Sequence, residues 1–298
     1  MKKWFNIFVY TSLVFLLVAL IKADYLKMPA IFNYTYIIWG IAFVCIGFIF
    51  DTYSWHKTLI HYGYKEVKIT DSIISMGLAI FGKYVPGKVW TIIGRSAYIA
   101  KKYNLLEKET TIVSLNAQFI SFWIGLTLGI IGLFFIGTRY YLLELSVLVW
   151  GLFTILLFSR FFHNIVIKII HKIFKKEVII PSLNIKSTLI ILPWFLINWL
   201  FWCSGFYFLT IGLSQDSFPV FLGLAFALAG TLSLLVLVIP GALGIRESLL
   251  TTILIVAGLE DTMAISISAA SRLWFLFGEF FIFFMAIFLK RIVFRKLQ

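Results

Sequence analysis

Charged side chains and cysteine are both scarce in this sequence. Charged residues make up 13% of the chain and hydrophobic residues 61%, whereas soluble domains carry roughly 25% charged residues. Too few polar side chains are present to cover a water-facing surface, which excludes an ordinary soluble domain. The two cysteines, Cys45 and Cys203, both fall inside apolar runs, so we expect them to pack there and predict no disulfide framework.

Short motifs for catalysis and metal binding are also missing. The sequence contains no Walker-type phosphate loop, no HExxH or cysteine–histidine metal pattern and no GxSxG elbow. We therefore expect no ATP motor, no metal site and no cofactor. Any catalysis would have to come from residues embedded in a membrane.

Long apolar runs recur from one end of the sequence to the other. A helix needs about 20 mostly apolar residues to span a bilayer core, and backbone in lipid must satisfy its hydrogen bonds internally. The sequence thus predicts an all-α polytopic membrane protein, with six to eight transmembrane helices in one integral membrane domain over 1–298. The runs lie at 4–21, 34–50, 111–137, 141–159, 187–212, 218–239 and 263–289.

The basic residues predict how the chain is oriented. If the N-terminus is cytoplasmic, nineteen Lys and Arg residues fall in cytoplasmic segments and three in outside loops, as the positive-inside rule requires. We therefore expect a multi-pass protein of the cytoplasmic membrane with both termini in the cytoplasm. This assignment requires the stretch 72–94 to enter and leave on the same side, which predicts a re-entrant hairpin broken at Pro86-Gly87.

A second Pro-Gly break, at Pro240-Gly241, matches the first. Each break follows an apolar run with a Gly-Leu-Ala sequence and precedes an Arg, namely Arg95 or Arg246. The chain then divides into halves of about 1–137 and 138–298, which begin on opposite sides of the membrane and each contain a broken re-entrant hairpin. The second hairpin has longer arms and could instead cross the membrane fully twice. Inverted repeats with interrupted helices are typical of transporters, with the binding site at the breaks. The other interpretation is two ordinary helix ends followed by loops.

Seven charged residues lie in or beside apolar segments, where a charge costs about 3 kcal/mol on insertion scales. Because the set is mainly cationic, it favours an anionic group, above all a phosphate. Arg272 and Glu279, seven residues apart on one helical face, are predicted to form a gating or structural pair. The predicted substrate-binding residues are Lys83, Lys88, Trp90, Arg95, Arg246 and Glu247, and the predicted hairpin breaks are Pro86, Gly87, Pro240 and Gly241.

Each charged candidate also has a structural interpretation. Lys83 and Lys88 could extend their ammonium groups to the cytoplasmic interface, and Arg95 could simply begin the loop after the first break. Arg246 and Glu247 are adjacent and could neutralise each other. These alternatives stay open at the level of sequence.

The remaining candidates are open in the same way. Arg272 and Glu279 could hold the last helix against the bundle without touching a substrate. Two aromatic residues, Tyr84 and Trp90, flank the first break, where they could line a lipid path or anchor the chain at the membrane interface.

The two Pro-Gly segments resemble motifs of the lysylphosphatidylglycerol synthase transmembrane region family, also called flippase-like. The later segment resembles a Pro-Gly-Gly-Leu-Gly-Val-Arg-Glu motif, with Ala242 in place of the second glycine and Ile245 in place of valine. The earlier segment resembles a Gly-Lys-Tyr-x-Pro-Gly-x-x-Trp motif followed by Gly-Arg. The matching positions are Gly82, Lys83, Tyr84, Pro86, Gly87, Trp90, Gly94 and Arg95 in the first segment, and Pro240, Gly241, Leu243, Gly244, Arg246 and Glu247 in the second.

The resemblance implies a membrane domain that moves or presents lipids. In two-domain relatives it translocates aminoacylated phosphatidylglycerol made by a synthase domain, and stand-alone relatives are linked to envelope glycolipids, including polyprenyl-phosphate-linked sugars. No synthase domain follows the last predicted span, so we expect no lysine transfer here.

Three functions compete at this point. The first is a flippase or transporter for an anionic phospholipid or a polyprenyl-phosphate-linked glycolipid of the cell envelope, with membrane lipids as its partners and no nucleic acid. The second is a membrane-embedded glycosyl or phosphoryl transferase, which would need Asp51, Glu247 or Glu279 for catalysis. The third is a non-catalytic scaffold for an envelope-lipid biosynthetic enzyme. We expect the first function, which makes the protein a carrier and not an enzyme.

Overall fold

Helices make up the regular structure in the described part of this protein. The computed structural model describes residues 31–85, 89–137, 140–161, 164, 183–214, 218–234 and 244–295. This part of the chain contains nine α-helices, two 3-10 helices (Ile80–Tyr84 and Val220–Leu224) and no strand. The α-helices are α1 Tyr34–His61, α2 Ile69–Ala79, α3 Trp90–Tyr103, α4 Glu107–Ile136, α5 Tyr140–Phe158, α6 Ile185–Gly212, α7 Ala225–Leu234, α8 Ile245–Val256 and α9 Asp261–Arg295.

Within the described residues, five helices are long and apolar enough to cross a membrane: α1, α4, α5, α6 and α9. Their most apolar windows have mean hydropathies between 1.7 and 2.3. They coincide with five of the predicted runs, so the prediction of an all-α multi-pass membrane protein is confirmed. The predicted first span, 4–21, and residues 235–239 of the run 218–239 lie outside the described residues.

Helix α1 continues beyond the predicted end of its run, from Phe50 to His61. This extension carries polar residues that are buried in the structure. In the sequence, the same polar residues indicated that the span ends at residue 50. Helix α2 packs against α1 and provides partners for them; the indole Nε1 of Trp55, for example, donates to Ser75 Oγ at 3.1 Å. Polar side chains can therefore continue this helix because another helix satisfies them.

The two predicted hairpins correspond to pairs of short helices. Helices α2 and α3, of 11 and 14 residues, pack against each other. At 1.5 Å per residue they measure about 17 and 21 Å, less than the roughly 30 Å of a bilayer core. Helices α7 and α8 pack in the same way. Both breaks, Pro86-Gly87 and Pro240-Gly241, lie outside the described residues.

The helix contacts come in matching pairs. Helix α1 packs along α6, the equivalent span of the other half. Helix α9 packs on α2, and its counterpart α4 packs on α7; likewise α3 contacts α4 and α8 contacts α9. A twofold relation between halves produces such pairing. The division into inverted halves near residue 137 stays a prediction, because no membrane defines the direction of each half.

Glycines permit the closest of these paired approaches. A Cβ on Gly77 of α2 would lie 2.5 Å from the carbonyl oxygen of Ile282 on α9. A Cβ on Gly129 of α4 would lie 2.6 Å from the Cβ of Leu228 on α7. Small residues at such interfaces let helix backbones come close. Helices α9 and α4 are thereby pressed against α2 and α7, which positions the candidate site.

Candidate functional site

Five charged side chains meet where the last helix contacts both hairpins; we call them the charged cluster. Lys83 lies in the 3-10 helix that ends the first arm of the first hairpin. Arg246 and Glu247 lie in the first turn of α8, and Arg272 and Glu279 lie on α9. All but Lys83 are at most 7% exposed, and the Lys83 side chain is 28% exposed. The cluster is therefore buried, with Lys83 as its most accessible member.

Glu279 is held by the first hairpin through both carboxylate oxygens. Lys83 Nζ forms an ion pair and hydrogen bond with Glu279 Oε1, and the Tyr84 hydroxyl donates to Glu279 Oε2 at 2.9 Å. Tyr84 and Glu279 are each 1% exposed. This carboxylate therefore joins α9 to the first hairpin, and the sequence did not identify Tyr84 as its partner.

Glu247 is held by the second hairpin. The backbone N–H of Gly244 donates to Glu247 Oε2 at 2.9 Å, and Gly244 has a φ of +81°, which favours glycine at this position. Glu247 Oε1 lies 3.3 Å from Arg246 Nε and 3.6 Å from Arg272 Nη1. An acidic residue in the first turn also complements the helix dipole. Glu247 thus begins α8 and connects it to α9.

Aromatic rings support the two arginines of the cluster. The Arg246 guanidinium lies 5.4 Å from the ring centroid of Phe226 and 5.8 Å from that of Phe275. The Arg272 guanidinium lies 5.3 Å from the ring centroid of Tyr84. Cation–π contacts of this kind stabilise a buried cation by about 0.5–2 kcal/mol. These contacts involve the face of each guanidinium group, whereas hydrogen bonds involve its edges; Arg246 Nη2, for example, donates to Ser271 Oγ at 3.4 Å.

The buried atoms Arg246 Nε and Glu247 Oε1 have no hydrogen-bond partner among the described residues. They face each other at 3.3 Å, but their geometry does not make a hydrogen bond. An unsatisfied buried donor costs about 1–3 kcal/mol. Arg246 therefore retains a donor that a ligand oxygen could accept from.

Arg95, on α3, lies in a different environment, where it contacts residues of α1, α2 and α4. Its Nε donates to Ser114 Oγ at 2.6 Å, and its Nη2 donates to the Ser114 carbonyl oxygen at 2.7 Å. Its guanidinium stacks 4.7 Å from the ring centroid of Trp55. Protein groups thus occupy much of its hydrogen-bonding capacity. Arg95 and Arg246, predicted to hold one head group, contact separate sets of residues.

Asp51 is a further buried acid, on α1. It lies within electrostatic range of both Arg95 and Lys83. Asp51 therefore lies close enough to interact electrostatically with both Arg95 and the charged cluster. No hydrogen bond joins Arg95 to the cluster among the described residues. The scarcity of acids within the apolar runs was the only signal that pointed to it.

The other predicted site residues are distributed as follows. Trp90 is the first residue of α3 and is 41% exposed, so its ring lies on the outer surface of the helical bundle. Lys88, Pro86, Gly87, Pro240 and Gly241 lie outside the described residues. Among the residues that the structure does describe, no group of three His, Cys, Asp or Glu residues could hold a metal ion.

Another ion pair joins the start of α2 to the end of α3 in the first hairpin, and it was not predicted from the sequence. Lys102 Nζ pairs with Asp71, and the Tyr103 hydroxyl donates to Asp71 Oδ2 at 2.6 Å. Burial and the hydrogen bond to Asp71 raise the pKa of the Tyr103 phenol to about 12. Tyr103 consequently remains a donor at neutral pH and holds α3 against α2.

Comparison with known proteins identifies one family. The sequence model described as "Lysylphosphatidylglycerol synthase TM region" matches residues 4–284, nearly the whole chain. No curated protein and no solved structure matches the chain.

Proposed function

Because the chain belongs to the lysylphosphatidylglycerol synthase transmembrane region family, we propose that it moves a lipid across the cytoplasmic membrane. The cargo is an anionic phospholipid or a polyprenyl-phosphate-linked glycolipid of the cell envelope. Both termini are then cytoplasmic, as the distribution of basic residues favours. The protein acts as a flippase and not as an enzyme.

The observation that carries this proposal is the charged cluster at the junction of the two hairpins and α9. Three cations, Lys83, Arg246 and Arg272, share two carboxylates there. Such residues at membrane depth are expensive and mark substrate pathways. An anionic head group would complete the cluster, while its acyl or polyprenyl chain stays in lipid.

The paired helix contacts support a mechanism of alternating access. Helix α9 contacts both hairpins, and α1 packs along α6 in the centre. If the halves rock about the α1–α6 contact, the hairpins change their separation at the cluster. The head group would then be exposed to one leaflet and afterwards to the other.

The arrangement of the carboxylates argues against the transferase alternative. Both oxygens of Glu279 are engaged by Lys83 and Tyr84, and Glu247 faces two arginines. A general base must bring a free carboxylate oxygen within reach of the proton that it accepts, whereas ion pairs hold both of these carboxylates in place. Binding is therefore the better use of these side chains.

The test is lipid movement in proteoliposomes made with purified protein. Phosphatidylglycerol with a fluorescent acyl chain is followed by chemical bleaching of the outer leaflet, next to the same lipid with a zwitterionic head group. We expect the wild-type protein to move the anionic lipid. Arg246→Gln should reduce the rate roughly tenfold or more, since a charge-assisted hydrogen bond is worth about 1.5–3 kcal/mol.

The matched control is Lys101→Gln, which removes one positive charge from an exposed position on α3. It should move lipid at the wild-type rate. Equal rates for the Arg246 and Lys101 variants would place the cargo site elsewhere. Folded protein that moves no lipid would contradict the proposed function, and a lipid whose mass changes during the assay would favour the transferase.

A scaffold role remains testable with the same preparation. An envelope-biosynthesis enzyme that co-purifies in equal amounts with the chain would favour it, especially if the Arg246→Gln variant retains the partner. The transporter proposal expects lipid movement without any such enzyme.

A further inference from the structure

The outer face of α9 carries a row of phenylalanine rings. Phe277, Phe281, Phe284 and Phe288 recur at alternate spacings of four and three residues, which places them on one face of the helix. Phe277, Phe284 and Phe288 are each more than half exposed. Glu279, by contrast, is 1% exposed and lies on the opposite face of α9. The row of rings is therefore separate from the charged cluster.

Between these rings lies an open apolar groove of about 450 Å³. This volume falls within the roughly 300–1,000 Å³ of small-molecule sites. Phe288 follows Phe277 by 11 positions, so the groove is about 16 Å long at 1.5 Å per residue. That is about half of the roughly 30 Å hydrocarbon core, or the chain region of one leaflet. The side chains that line it are Phe277, Phe280, Phe281, Phe284, Met285 and Phe288.

One wall of the groove is held by the first hairpin. The ring centroid of Phe280 lies 5.1 Å from that of Phe81, which belongs to the 3-10 helix Ile80–Tyr84. Phe284 in turn stacks on Phe280, with 6.0 Å between the ring centroids and 21° between the ring planes. Because packed neighbours hold these rings, the groove exists before a ligand arrives, which lowers the entropic cost of binding.

An arginine lies at one end of the groove. Arg291 follows Phe288 by three residues, so it continues the same helical face, and it is exposed. It lies at the end of the span Asp261–Ile292, where a membrane-spanning helix reaches the lipid head groups. In the described part of the chain, no hydrogen bond or ion pair engages it. A positive charge at this level attracts anionic lipids.

We infer that the groove binds one acyl chain of an anionic phospholipid, whose phosphate lies at Arg291; we call the groove and Arg291 the α9 lipid site. The head group lies at the membrane interface, and the chain extends along the rings towards Phe277. In the proposed orientation this is a lipid of the cytoplasmic leaflet. It is a second lipid, bound outside the charged cluster, and it stays with the protein while the cargo moves.

The combination of rings and cation favours a lipid as the occupant. A lipid accounts for both parts of the α9 lipid site, since its chain packs on the rings and its phosphate pairs with Arg291. A second copy of the chain would account for the rings alone.

The experiment is photo-crosslinking of lipids to the full chain in phosphatidylcholine liposomes. Two probes carry the same diazirine-labelled acyl chain, one under a phosphatidylglycerol and one under a phosphatidylethanolamine head group. Peptide mass spectrometry counts the crosslinks at each residue. Crosslinks from the phosphatidylglycerol probe should concentrate on the groove and should exceed those from the other probe about fivefold, because one basic residue near the membrane surface changes the binding equilibrium by about this factor.

Variants of exposed residues test each part of the site. Arg291→Gln should remove the difference between the two probes, and Arg291→Lys should retain most of it. Lys101→Gln removes an exposed positive charge elsewhere and should change nothing. Phe284→Ala should lower groove crosslinks from both probes about twofold or more, because it removes apolar contact area. Phe134→Ala, at a similarly exposed ring on α4, should leave them unchanged.

Three results would overturn the inference. Crosslinks no denser on the groove than on the exposed Leu145, Leu148 and Leu152 of α5 would mean that only bulk lipid covers it. Equal crosslinking by the two probes, or a preference unchanged in Arg291→Gln, would remove the role of Arg291. A dimer that Phe284→Ala dissociates would assign the groove to a second copy of the chain.

A variant of the charged cluster separates this site from the proposed function. Arg246→Gln should slow lipid movement and leave the groove crosslinks unchanged, because Arg246 is buried in the cluster. Loss of the groove crosslinks in this variant would make the groove part of the cargo path and overturn the second site. Groove crosslinks in protein that moves no lipid would support the α9 lipid site while the proposed function fails.

Discussion

Gly40 of α1 and Gly205 of α6 lie directly against each other. A Cβ added to either glycine would lie 3.1 Å from the carbonyl oxygen of the other. The contact is therefore symmetric with respect to the two helices. Gly40 also accepts a hydrogen bond from the Trp274 indole Nε1 at 2.8 Å. This contact of α1 and α6 is therefore attached to α9, the helix that carries two members of the charged cluster.

This contact predicts that Gly205→Ala lowers stability. The new methyl group would lie 2.8 Å from Trp274 Cζ2, and overpacking of this kind costs about 1–3 kcal/mol. The matched control is Gly151→Ala on α5, where nothing lies within 4 Å of the added Cβ. It should leave the melting temperature in detergent unchanged or higher, because Ala favours a helix over Gly by about 1 kcal/mol. Equal melting temperatures for the two variants would contradict the packing argument.

The Lys83–Glu279 ion pair predicts an asymmetric response to mutation. Lys83→Met leaves the buried Glu279 carboxylate with the Tyr84 hydroxyl and should destabilise the protein by about 3 kcal/mol. Glu279→Gln should cost less, since the Lys83 side chain is 28% exposed and can reach polar surroundings.

The double variant isolates the interaction between these two residues. Lys83→Met combined with Glu279→Gln should be more stable than Lys83→Met alone, because the unpaired carboxylate is gone. Thermal unfolding of all four proteins in one detergent measures this. Strictly additive effects would mean that the pair contributes nothing to joining α9 to the first hairpin.

Arg95 is predicted to stabilise the fold without selecting the lipid. Arg95→Lys loses the planar contact with Ser114 and the stacking on Trp55, so the melting temperature should fall by an amount equivalent to about 2 kcal/mol. The order of lipid preference should remain that of the wild type. Arg246→Lys should do the reverse, with altered lipid preference and a smaller loss of stability. A lipid preference changed by Arg95→Lys in protein of unchanged stability would return Arg95 to the binding site.

These residues also show which features of the protein can be predicted from its sequence. The low charge content and the apolar runs predicted the spanning helices, because lipid imposes a length and a composition on each of them. The cost of charge at membrane depth identified Lys83, Arg246, Glu247, Arg272 and Glu279 as exceptional. It did so without any knowledge of their neighbours.

The contact partners of these residues could not be predicted from the sequence, because they depend on which helices pack together. Lys83 and Glu279 meet although 196 positions separate them in the chain, and no periodicity reports which helices pack together. Arg95 and Arg246 follow similar breaks, yet Ser114 and Trp55 occupy Arg95. Tertiary packing decides which of two similar arginines keeps a donor for a ligand.

The anionic cargo of the proposed function leads to a last prediction, on membrane potential. A carrier that moves a lipid with one negative charge, and no other ion with it, moves that charge across the membrane. Each cycle then transfers one negative charge, so a potential of 100 mV is worth about 2.3 kcal/mol. Phosphatidylglycerol should accumulate in the leaflet that faces the positive compartment, by up to about fiftyfold. Liposomes with a potassium gradient and valinomycin test this, with a zwitterionic lipid as the control. A distribution that ignores the potential would contradict this electrogenic cycle and would mean that a compensating ion moves with the lipid.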